Sequence, residues 1–203
     1  MKPSKWAVFA VCLALAMAVG VVALQAQDRE TFTGMLAQMS GPAAGATGSL
    51  QITVDRWSTP EERQAYFEAI AEGQSEKTLE GKQRRLLSMM EDARGAKRVG
   101  FARFPRTLGW DLTYAWQFMD GSTRVIRLAT NRPVPFIEAR NNYRTMDYPF
   151  GIIELRLNEK GEGEGTVFQA ASVTVNKEGV LSIESYGIGP QPLLSVRARV
   201  ENK

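Results

Sequence analysis

Two stretches of this sequence gather side chains that can recognise a ligand. The first runs from Leu108 to Met119. There Leu108, Trp110, Leu112, Tyr114, Trp116 and Phe118 alternate with smaller or polar residues. In one regular strand all six face the same way. Trp and Tyr then offer flat apolar surface with a polar edge, suited to stacking on a ring or lining a pocket for one apolar molecule. The same residues serve equally well as plain core.

The second stretch is Glu138-Ala-Arg-Asn-Asn-Tyr-Arg-Thr-Met-Asp147. It sits in a long irregular connection, the kind of segment that often carries function. Arg140 and Arg144 can grip a carboxylate or phosphate in bidentate fashion. Glu138 and Asp147 either take part in such a site or brace the loop by pairing with those arginines. The candidate ligand-binding set is therefore Trp110, Tyr114, Trp116, Arg140, Arg144 and Asp147.

Other chemistries are excluded by composition. The 203 residues contain no histidine and one cysteine. Serine and cysteine triads that rely on histidine, HExxH zinc sites and histidine proton relays are absent. So are intrachain disulfides and thiolate metal clusters. A carboxylate pair acting as acid and base stays open, with Asp111, Glu138, Asp147 and Glu154 available. No spacing singles out two of them. Glu159, Glu162 and Glu164 in the Asn158–Gly165 turn do not follow the fixed positions of a calcium loop. No phosphate-binding loop, GxGxxG, GxSxG, SxxK or CxxC occurs, and no cofactor is expected.

The elements that must position these residues are mainly strands. Residues 30–38 read as a first strand, and Leu50, Ile52 and Val54 alternate in a second. Thr59-Pro60-Glu61-Glu62 then starts a helix, with an N-cap, a proline at the first helical position and a capping box. Gly73 ends it. A second helix spans about Ser75 to Asp92, with Leu79, Leu86, Leu87 and Met90 on one face. From Lys97 the chain is a meander of short strands, with Asp120-Gly121 as a hairpin signal. The pattern predicts a mainly β (β-rich α+β) fold. About nine antiparallel strands form a barrel or a sandwich, with a two-helix insertion at 59–92 after the second strand. One domain, 27–203, is expected.

The N-terminus sets the compartment. Lys2 and Lys5 precede the uncharged run Trp6–Leu24, and Asp28 and Glu30 follow it. Residues 1–26 read as a signal peptide or an uncleaved anchor, and either sends the rest of the chain out of the cytoplasm. The lone Cys12 lies within that run. Cleavage after Ala26 removes two of the 25 basic residues and none of the 22 acidic ones, leaving a net charge of +1. The basic pI is then no argument for nucleic acid. The eight Lys and Arg between Lys82 and Arg106 offer a surface for anionic lipid or an envelope partner.

Thr107-Leu-Gly-Trp-Asp-Leu-Thr-Tyr114, Leu128-Ala-Thr-Asn-Arg-Pro133, Glu138-Ala-Arg-Asn141 and Met146-Asp-Tyr-Pro-Phe150 through Leu157 resemble a family of uncharacterised exported bacterial proteins. The resemblance implies bacterial export and no particular activity. The leading expectation is an exported, periplasmic or extracellular, non-catalytic binder of a small apolar or amphipathic ligand. An envelope protein-interaction or scaffold module is the alternative, and a carboxylate-based hydrolase the third.

Overall fold

The computed structural model describes residues 29–41, 44–91, 98–134, 146–175, 181–187 and 189–201. The strands are β1 (Arg29–Ala37), β2 (Thr47–Val54), β3 (Gly100–Arg103), β4 (Trp110–Asp120), β5 (Thr123–Thr130), β6 (Phe150–Leu157), β7 (Glu162–Val175), β8 (Leu181–Ser185) and β9 (Gln191–Glu201). Helices α1 (Pro60–Gly73) and α2 (Leu79–Glu91) fall between β2 and β3. The β-rich class and the helical insertion match the sequence reading, and the choice between sandwich and barrel falls to the barrel.

Every paired strand is antiparallel to its neighbour. The ring runs β1-β2-β3-β4-β5-β6-β7-β9 and closes again on β1. β8 hangs outside it, because β7 is 14 residues long and outruns the barrel. The first part of β7 pairs with β6 and β9, and its last five residues pair with β8.

An eight-stranded barrel is just wide enough for its own side chains to fill. Alternation supplies them: Leu50, Ile52 and Val54 from β2, Ile126 and Leu128 from β5, and Ile153, Leu155 and Leu157 from β6 are at most 1% exposed. Each contributes about 1.5–3 kcal/mol by leaving water. The lumen is a packed core.

A second apolar layer lies outside the ring. Tyr66 and Ile70 of α1 and Leu86, Leu87 and Met90 of α2 cover Tyr114, Ile152, Phe168 and the β7–β8 ribbon. The expected capping box is present. Thr59 Oγ1 accepts from the Glu62 amide at 3.2 Å, and Glu62 Oε2 accepts from the Thr59 amide at 2.9 Å. Gly73 does more than end α1. A Cβ there would stand 2.3 Å from the Lys82 carbonyl oxygen, so the glycine lets α1 meet α2.

Two local readings shift. The Asp120-Gly121 signal makes a hairpin, but Asp120 pairs with Thr123, so the loop is Gly121-Ser122. The Asn158–Gly165 turn is shorter than expected, since β7 begins at Glu162. Asn158 Oδ1 accepts from the amides of Lys160 and Glu162 and closes the turn. Gly163 and Gly165 are strand residues, kept small because a Cβ would strike the Arg156 and Glu154 carbonyl oxygens across the ladder.

Candidate functional site

The aromatic stretch is split by a β-bulge. In β4, Leu112 opposes Thr130 while Tyr114 opposes Ala129, leaving Thr113 as the extra residue. One extra residue reverses the facing of everything after it. Trp110 and Leu112 enter the lumen, where Trp110 lies edge-on to Phe104 at 5.7 Å. Beyond the bulge Ala115 takes the inward position, and Tyr114 belongs to the outer layer. The expectation of one aromatic wall is thus corrected: Trp110 shares no face with Tyr114 and Trp116. Leu108 joins neither, being fully exposed.

The bulge is tied down from α1. The Tyr66 hydroxyl donates to the Thr113 carbonyl at 3.0 Å, and the Tyr66 and Tyr114 rings meet edge-on at 5.7 Å. Burial raises the pKa of both phenols above the ordinary tyrosine value; for Tyr114 the Arg63 and Arg127 guanidiniums partly offset this. The fold therefore holds the neutral phenols, whereas the unfolded chain releases those protons near about pH 10. The resulting stabilisation is complete below that pH and is lost as pH rises through the folded values. Two of the five tyrosines are expected to ionise late in an absorbance titration. The denaturation midpoint should fall as pH rises from about 10, and less steeply in Tyr66→Phe.

A seam between α1 and the outer face of β4 and β5 results. The Arg63 guanidinium lies 4.6 Å from the Phe67 ring centroid and 5.1 Å from that of Trp116. Next along the sheet, Arg127 opposes Trp116, covers the Phe118 ring at 5.2 Å and pairs with Glu154 at 2.9 Å. Phe118 is 38% exposed. Arg63 makes no ion pair with a carboxylate among the described residues.

Sequence reasoning missed Arg63, Phe67 and Arg127 as companions of Trp116. The spacing of Arg63 and Phe67, one helical turn apart, places them on one face of α1. Nothing local says that this face lies beside β4.

Of the loop candidates, Arg140 and Arg144, with Glu138, lie outside the described residues. Asp147 is described and half-buried, just ahead of β6. The described flanks of that loop, including Arg132, Met146 and Pro149, face Leu87 and Glu91 of α2 across an open cleft of about 190 Å³. Asp147 is not one of its walls.

The remaining carboxylate candidates are braced. Asp111 pairs with Arg98 at 3.3 Å, and Glu154 is held between Arg127 and Arg156. No three acidic, histidine or cysteine side chains among the described residues gather as a metal would need. The basic stretch is divided too. Arg84 and Arg85 pair with Glu80 and Glu72 on the helices, while Arg98 and Arg103 flank Phe101 on the barrel. No helix among the described residues is long and apolar enough to cross a membrane.

At the mouth where β1 begins, Glu30 and Arg124 join across the lumen, with both guanidinium Nη atoms on the carboxylate at 2.6 and 2.7 Å. β1 and β5 stand opposite one another in the ring. Arg124 also donates to Gln117 and lies over Phe32 and Trp57. Above this floor is an open cup of about 340 Å³, walled in part by Met119, Ala198 and Val200.

Comparisons with protein-family models, curated proteins and solved structures found no match to this chain.

Proposed function

We propose that this chain is an exported, non-catalytic interaction module that uses a solid barrel as scaffold. Its partner is an envelope protein that brings apolar surface and a carboxylate to the seam of Arg63, Phe67, Trp116, Phe118 and Arg127. The observation that carries this reading is Arg63. Its guanidinium is held over two rings and has no carboxylate of its own among the described residues. Arginine and large aromatics are the residue types that dominate protein-binding energies. The packed lumen favours an outer contact over an enclosed small ligand, because a small-molecule site buries most of its ligand. Export rests on the apolar run at residues 6–24.

The test is crosslinking in the native envelope, comparing the unaltered chain with Arg63→Glu and with Trp116→Ala. One partner should be recovered with the unaltered chain. Each substitution should weaken its binding by about 2 kcal/mol or more, as expected for an interface anchor. Equal recovery of that partner by all three chains, each with unchanged thermal stability, refutes the seam as the contact.

A further inference from the structure

A closed barrel has no strand edges, but β8, outside the ring, keeps one among the described residues. β8 is the last strand of the sheet and, among the described residues, has only β7 beside it. Its hydrogen-bonding phase can be worked out. The Tyr186 amide donates to the Ala170 carbonyl at 3.0 Å, so this pair is a hydrogen-bonded one. Bonded and non-bonded pairs alternate along an antiparallel ladder. Ser182 and Glu184, opposite Thr174 and Ser172, therefore bond to β7. Leu181, Ile183 and Ser185 turn their N–H and C=O groups the other way.

The inner edge of this ribbon shows the same phase and has a cap. Val173, opposite Ile183, points its amide away from β8, and Gln83 Oε1 of α2 accepts it at 2.9 Å. No hydrogen bond to the outward groups of Leu181, Ile183 or Ser185 is present among the described residues. A second observation falls on the same ribbon. Among the described residues, the buried side-chain polar atoms without a partner are Gln83 Nε2, Ser172 Oγ and Ser185 Oγ. All three sit on β7, β8 or the helix behind them. Unpaired buried groups are rare in a finished fold, and these belong to the β7–β8 ribbon and the helix packed on it.

We propose that β8 pairs antiparallel with β8 of a second copy of this chain, about a two-fold axis at Ile183. The side chains fit this register. Ile183 meets its own copy, Leu181 meets Ser185, and Ser182 meets Glu184, so no like charges are opposed. The neighbouring register, centred on Glu184, sets the two carboxylates directly against each other. The exposed positions 182 and 184 are thus the ones at which an introduced charge reports the pairing.

The test is sedimentation of the full chain in detergent over a range of concentrations. A dimer is expected. Ser182→Glu sets two like-charge pairs across the axis and should weaken dimerisation about tenfold, whereas Ser182→Lys should strengthen it about tenfold. Ile183→Pro removes an edge donor and leaves the bonds to β7, so it should yield a monomer with native circular dichroism. Trp116→Ala should leave the dimer intact, which separates this surface from the β4–α1 seam. A chain that stays monomeric overturns the proposal, as does a dimer indifferent to the charge at Ser182. So does a monomer whose β8 amides become protected from exchange only on adding envelope extract, which assigns the edge to a foreign strand.

Discussion

Arg124→Met is expected to lower the unfolding free energy by about 3–5 kcal/mol, the cost of leaving one partner of a buried pair alone. The Glu30 side chain is 8% exposed and has Arg124 as its only ion-pair partner among the described residues. Without that guanidinium the Glu30 carboxylate loses its counter-charge at the barrel mouth. The double variant Glu30→Leu with Arg124→Met should recover most of the loss, because apolar replacements of similar size remove the uncompensated charge. Denaturant unfolding of the three variants measures both effects. A loss below about 0.5 kcal/mol for Arg124→Met would place the pair among ordinary surface bridges.

Phe32→Ala should cost about 3–5 kcal/mol and open a void in the lumen. Phe32 has no solvent exposure and lies under the Arg124 guanidinium, 6.0 Å from its ring centroid. An apolar void of that kind stays dry and takes up benzene. Added benzene should therefore raise the melting temperature of Phe32→Ala and leave that of the unaltered chain unchanged. A shift in the unaltered chain would mean that the lumen already has room, and would return the ligand seat to the inside of the barrel.

Much of the scaffold was legible because its signals are local. The period-two runs at Leu50–Val54 and Ile153–Leu157 place alternate residues in the core whatever the strands pair with. The box at Thr59 and Glu62 closes within one helical turn, so four residues suffice to read it. The bulge at Thr113 left no such trace. Ala115 and Gln117 beyond it fit either face, and the alternation of large residues continues unbroken to Phe118. Read as one strand the stretch keeps Trp110 on the same wall as Tyr114, although the shift in register with β5 after Leu112 puts them on opposite faces.

The sequence by itself determined that this is a His-free, strand-rich chain with a capped helical pair after its second strand, since these follow from composition and short-range period. Closure of β9 on β1, the departure of β8, and the pairing of Glu30 with Arg124, 94 residues away, were decided only in three dimensions. So was the meeting of Arg63 with Trp116. Each depends on which strand or helix becomes the neighbour of which. That choice is made by the total burial of the barrel and by backbone hydrogen bonds between distant segments, not by any residue's near neighbours in the chain.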